Sequence, residues 1–148
     1  MTEKIKVDKE VRVMSKEWRG TLEELMELYG KLNKAMKENK GIGISAIQIG
    51  IPVRVFLAGD PPELFVNPKI IQRSSYMKNG WEGCLSCGDA QVRVKRAYSI
   101  SLEYLNYKDK EFNLVRRKFV NFDARVVTHE LDHLYGILFL DRGKVYKP

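Results

Sequence analysis

Asp123-Ala124-Arg125-Val126-Val127-Thr128-His129-Glu130-Leu131-Asp132-His133-Leu134-Tyr135 is the stretch from which the rest of the chain can be read. Val126, Val127, Leu131 and Leu134 supply apolar positions at helical spacing, and Gly136 follows as a stop, so the segment reads as a helix. Both histidines of the chain lie in it, four residues apart. At about 3.6 residues per turn they share one face, which lets two imidazoles bind one metal ion. Glu130 can then sit beside the ion without ligating it and take a proton from water. A polar helix face with chance histidines is the weaker reading, because the chain spends its only two here, next to a carboxylate.

Two imidazoles do not complete a site, and Cys84 and Cys87 are the soft candidates for a further ligand. A structural site would take all four side chains, Cys84, Cys87, His129 and His133. A catalytic site would take three and keep one position open. Against the four-ligand zinc module, 41 residues separate Cys87 from His129, far beyond the ~12–15 of a finger, and Glu130 is left without a task. Cys87 then reads as an ordinary buried thiol.

Working outward, Thr21-Leu22-Glu23-Glu24 has the form of a capping box. Leu22, Leu25, Met26, Leu28, Tyr29, Leu32, Ala35 and Met36 continue an apolar face to Lys40, where Gly41 ends the helix. Val53 to Ala58 and Leu64 to Ile71 read as strands, with Asn67-Pro68 marking a bend or an edge position. From Gln91 to Val115 the alternation of Ile100, Leu102 and Tyr104 with Ser99, Ser101 and Glu103, then the Lys108-Asp109-Lys110 turn, predicts antiparallel strands. Ile137 to Leu140 is a short apolar tail before a polar end. The expected fold is α+β: a mostly antiparallel β-sheet packed around a central metal-binding α-helix, with an N-terminal helix, in one domain spanning 1–148.

Composition agrees. The 148 residues are 44% hydrophobic and 30% charged, enough for one core and too apolar for disorder. No apolar run spans a bilayer and Met1-Thr2-Glu3-Lys4 lacks a signal's apolar region, so a cytoplasmic protein with no membrane partner is expected. Two cysteines three positions apart cannot staple a secreted fold. The net charge of +7 favours an acidic neighbour such as nucleic acid or the ribosome, although only Arg116-Arg117-Lys118 forms an unbroken basic triplet.

Gly41-Ile42-Gly43-Ile44-Ser45-Ala46-Ile47-Gln48, Glu82-Gly83-Cys84-Leu85-Ser86 and His129-Glu130-Leu131-Asp132-His133 together resemble the three motifs of the peptide deformylases, in the family's order. The resemblance implies a metal-dependent hydrolase that removes the N-formyl group from the N-terminal formylmethionine of nascent polypeptides and releases formate. It implies Cys84, His129 and His133 as metal ligands, Fe2+ as the native ion with Zn2+, Ni2+ or Co2+ as substitutes, and Glu130 as the proton carrier. Gln48 and the Leu85 amide would stabilise the oxyanion. Ile42, Gly43 and Gly83 would flank the N-formylmethionyl peptide substrate, paired as an added strand, and Ile42, Phe122 and Val126 would hold its first side chain. Asp132 would pair with Arg96 behind the ligands, and Glu82 would hold the Cys84 loop.

Cys87-Gly88-Asp89 departs from the family's usual residues after Cys-Leu-Ser, and Met1 to Trp18 lacks its proline-rich start. The chain ends 15 residues beyond His133, without room for the long C-terminal helix by which many bacterial members dock on the ribosome. It resembles the short forms of phages and some organelles, acting as a monomer in the cytoplasm of an infected host or an organelle matrix, with ribosome contact left to the basic surface. The rivals are a different His-Glu-x-x-His metallohydrolase, and a nucleic-acid-binding zinc module in which Cys87 is as necessary as Cys84.

Overall fold

The structure, a computed structural model, describes residues 5, 8–87 and 90–146. Met1 to Lys4 and Gly88-Asp89 lie outside the described residues. A single turn, α1 (Asp8–Val11), precedes the longer helix α2 (Leu22–Glu38). Thr21 caps α2 as its sequence predicts: Thr21 Oγ1 accepts from the Glu24 amide at 3.2 Å and Glu24 Oε1 accepts from the Thr21 amide at 2.9 Å. The helix stops earlier than the apolar spacing suggests, at Asn39, because Lys40 turns left-handed (φ 55°) and lets the Gly41 amide bond Met36 O.

Two sheets form. The larger runs in the order β1 (Gly43–Ser45), β2 (Val55–Ala58), β3 (Glu63–Arg73), β6 (Ser99–Lys108), β7 (Glu111–Val120). The smaller has the order β4 (Met77–Glu82), β5 (Gln91–Ala97), β8 (Gly143–Tyr146). Every pairing between these strands is antiparallel. Asp109 and Lys110, both at positive φ, make the two-residue turn that joins β6 to β7.

The helix α3 (Phe122–His133) lies between the sheets, and β2 shows how. Successive side chains of a strand point to opposite faces. Val55 and Leu57 join a core with Leu25, Leu28 and Leu32 of α2, whereas Phe56 and Ala58 join Val127 and Leu131 of α3 and Leu134 at its end. Covered on both faces, β2 reads as an unbroken apolar run. Phe56 stacks on Phe65, and Tyr104 packs against Phe65 at a tilt of 38°, each pair with ring centroids 4.5 Å apart. The opposite flank of α3 meets Phe139 through His129, and Phe139 packs with Val92 and Val94 of the smaller sheet.

The structure narrows one expectation and changes two. Of the two positions expected for Asn67-Pro68, the structure shows the bend and not the edge: the pair lies in an interior strand, where Asn67 adopts φ 50° at a register break between β3 and β6, the kind of bulge where proline's missing donor is tolerated. The Glu103 position, read as the exposed side of an alternation, is buried and ion-paired to Lys69 and Arg116. The β-structure is also more extensive than expected, since β4 and β8 form where no alternation marks them. No helix among the described residues is long and apolar enough to cross a membrane.

Candidate active site

One turn of α3 separates His129 from His133, and both rings face the loop that carries Cys84 between β4 and the 3-10 turn Leu85–Cys87. One ligand atom from each of Cys84, His129 and His133 lies within 4.8 Å of the other two. Cys84 Sγ is 3.6 Å from His133 Nε2. An ion about 2.3 Å from a thiolate and about 2.1 Å from an imidazole, at the tetrahedral angle, sets that edge at about 3.6 Å. The three residues therefore fit a divalent ion in both chemistry and spacing.

Residues behind the ligands set their orientation. Glu82 Oε1 lies 2.7 Å from His129 Nδ1, which leaves Nε2 for the ion. Burial works against the Glu82 carboxylate, yet hydrogen bonds from Arg96 and His129 and the Arg96 charge outweigh it and bring its pKa down to about 2. An ionised carboxylate only accepts, so the His129 Nδ1 carries the proton. Arg96 bonds Glu82 twice, at 2.7 and 2.9 Å, and Asp132 at 2.9 Å. The expected Arg96–Asp132 pair is present, and Arg142 adds two further bonds to Asp132. Burial keeps His133 neutral by pushing its pKa well below the usual histidine value. Contact with the Cys87 thiol and burial push the Cys84 thiol up, so taking up an ion there must displace a proton.

Glu130 is buried between β1 and α3, with Oε1 accepting from Ser45 Oγ at 3.0 Å. Burial raises its pKa, against the opposing pull of His129 and the Ser45 hydroxyl. Gln48 faces two ways: Oε1 accepts from the Ser45 amide at 2.9 Å, while Nε2 lies 3.2 Å from Ser86 Oγ and 3.7 Å from Cys84 Sγ. The oxygen end thus satisfies buried backbone and the donor end is left at the centre.

These groups border a cavity of about 570 Å³. Ile42, Gly43, Gln48, Gly83, Cys84, Leu85, Phe122, Val126, His129 and Glu130 all line it, whereas His133 is sealed behind them. β1 and β4, the outer strands of their sheets, approach it from two sides.

A polypeptide deformylase family profile matches residues 5–147. The chain belongs to this family. Peptide deformylases are metal-dependent hydrolases that remove the N-formyl group from nascent peptides. The chain is 38% identical over 144 residues to the peptide deformylase of Pseudothermotoga lettingae, covering 95% of this chain and 82% of the relative. The crystal structure of the Thermotoga maritima peptide deformylase superposes with a TM-score of 0.91 at 30% identity, over 97% of this chain and 99% of the other. A class I type b peptide deformylase from Acinetobacter baumannii, solved with Met-Ala-Ser bound, gives 0.89 at 30% identity, over 96% and 98% of the two chains.

Lys40, Trp81 and Arg125 also line the cavity of this deformylase, and none of the three is a site residue that the sequence predicts. Arg125 had a signal: it precedes His129 by four residues and so shares its helix face. Trp81 sits in β4, which no periodicity announced. Gly43 also acquires a reason beyond backbone pairing, because a Cβ there would lie 2.8 Å from Glu130 Oε2. With Glu130 enclosed, Gly43→Ala is expected to displace the carboxylate and lower kcat about tenfold or more, with metal content unchanged, in steady-state formate assays.

Proposed function

We propose that this deformylase hydrolyses the formyl group from peptides beginning with formylmethionine, at a ferrous ion held by Cys84, His129 and His133. The observation that carries the reading is the buried Glu130 carboxylate set against three convergent ligand atoms at the wall of an open cavity. When bound, the ion supplies Lewis acidity that polarises the formyl carbonyl and acidifies water. Glu130 takes the water's proton and delivers it to the departing amine. The Gln48 Nε2 and the Leu85 amide donate to the carbonyl oxygen as it gains charge.

Main-chain groups of Ile42 and Gly43 on one side, and Gly83 on the other, hold the peptide as an added strand. Ile42, Phe122 and Val126 enclose its first side chain. The domain spanning 1–148 works as a cytoplasmic monomer, and its +7 charge supports approach to the acidic ribosome. Zn2+, Ni2+ and Co2+ suit the same donors.

Three ligands, with Cys87 outside the cluster, favour this reading over the four-ligand zinc module. Cys84→Ala is expected to purify with less than about a tenth of an equivalent of metal and Cys87→Ser with one, read by elemental analysis. The activity itself is tested with formyl-Met-Ala-Ser and acetyl-Met-Ala-Ser on anaerobically prepared protein. Formate from the first, no cleavage of the second and faster turnover with ferrous ion than with zinc support the proposal. Equal rates with the two ions would remove the iron assignment, and equal cleavage of both peptides would remove the formyl specificity.

A further inference from the structure

Arg125 lines the cavity beside the apolar side chains of Ile42, Phe122 and Val126. Arg125 leaves α3 on the side of His129, with its side chain only 13% exposed. Its Nη1 donates to Glu82 Oε2 at 2.7 Å and to Val94 O at 3.0 Å, and its Nη2 to Lys78 O at 2.7 Å. Gly80 makes the room: a Cβ at that position would lie 2.8 Å from both Arg125 Cζ and Nε. An arginine has five N–H groups, and these bonds use three. The Nε–H and the second N–H of Nη2 have no protein acceptor among the described residues, and Nε is not an atom sealed from solvent.

A donor left unpaired when a guest excludes water costs free energy, and a guest that supplies the acceptor recovers it. Methionine's thioether is a weak acceptor. Methionine sulfoxide differs from it by one oxygen on the same sulfur, a strong acceptor placed part-way along the side chain. We propose that Arg125 is a specificity-determining residue of the first-residue pocket, and that it admits formyl peptides whose first side chain carries a hydrogen-bond acceptor, methionine sulfoxide above all. The inference rests on the deformylase reading and adds a second substrate class to it: N-terminally oxidised formyl peptides.

The test compares kcat/KM for formyl-methionine-sulfoxide-Ala-Ser with that for formyl-norleucine-Ala-Ser, which has a methylene in place of sulfur and no acceptor. Both peptides are run on the same metal-loaded preparation, so the ratio cancels any loss of metal or folded protein. Wild type is expected to give a ratio of at least about one, and Arg125→Ile a ratio lower by about tenfold or more, the scale on which lost polar pairing separates substrates. Arg125→Lys falls between. Gly80→Ala, which crowds the guanidinium while leaving Arg125 in the chain, moves the ratio in the same direction and serves if Arg125→Ile does not fold. A ratio unmoved in all the folded variants, or a wild type that prefers norleucine tenfold, overturns the proposal and leaves Arg125 a strut between α3 and β4. Failure to release formate from formyl-Met-Ala-Ser overturns the deformylase reading and this proposal together.

Discussion

Glu130→Gln is expected to bind one metal ion and to release formate about 10²–10⁴-fold more slowly than wild type, the range that a positioned proton carrier contributes. The substitution keeps the side chain's shape and an oxygen able to accept from Ser45 Oγ, which approaches Glu130 Oε1 at 3.0 Å. It removes only the ability to take a proton. Because the ligand atoms belong to Cys84, His129 and His133, metal content measured on the same sample should not fall. A mutant that keeps its metal and most of its rate would remove Glu130 from the mechanism. A zinc module in which Glu130 has no task predicts that outcome.

Arg96→Met should be the most destabilising single change in the buried network. Its guanidinium and the Glu82 carboxylate are each about 4% exposed, and it binds both Glu82 and Asp132. Removing one partner of a buried pair costs about 3–5 kcal/mol, because a charge is left without compensation. Glu82 keeps Arg125 and Asp132 keeps Arg142, so the lower end, about 3 kcal/mol, is expected. For a domain of this size that lowers Tm by roughly 10 °C. The contrast is Arg142→Ala: Arg142 also contacts Asp132, but is 41% exposed, and its loss should cost less than about 1 kcal/mol. Equal costs for the two, in thermal unfolding of metal-free protein, would contradict the account of the network.

The parts of the site that share a helix or a short motif were legible from residue order. His129, Glu130 and His133 declare themselves by helical spacing, and Asp132 by its place among them. Cys84, Gln48 and the cavity-lining Ile42, Gly43, Gly83, Phe122 and Val126 came with the motif resemblance, and the fold brings them to one cavity with Glu130. What stayed hidden depends on partners distant in sequence. Glu82 looks like any loop-flanking carboxylate until Arg96, Arg125 and His129 converge on it. Arg125 looks like a solvated helix charge until Gly80 is seen to yield the space it fills.

The same holds for the fold. β2 and the β6–β7 hairpin carry their own patterns, apolar continuity in the first and alternation with a two-residue turn in the second. In β4 only Glu82 is buried, so the strand offers no alternation to read, and it forms because β5 supplies its backbone partners. The division into two sheets follows from α3 lying between them, a tertiary fact to which no single segment testifies.

The proposed activity requires one ion, held by Cys84, His129 and His133. Anaerobic titration of metal-free protein with ferrous ion, following formate from formyl-Met-Ala-Ser, tests it most directly. In wild type the rate is expected to rise in proportion to bound ion and break at about one equivalent, with no rise in Cys84→Ala. Folded wild type that releases no formate at one bound equivalent, or Cys84→Ala that releases it undiminished, would contradict the proposal.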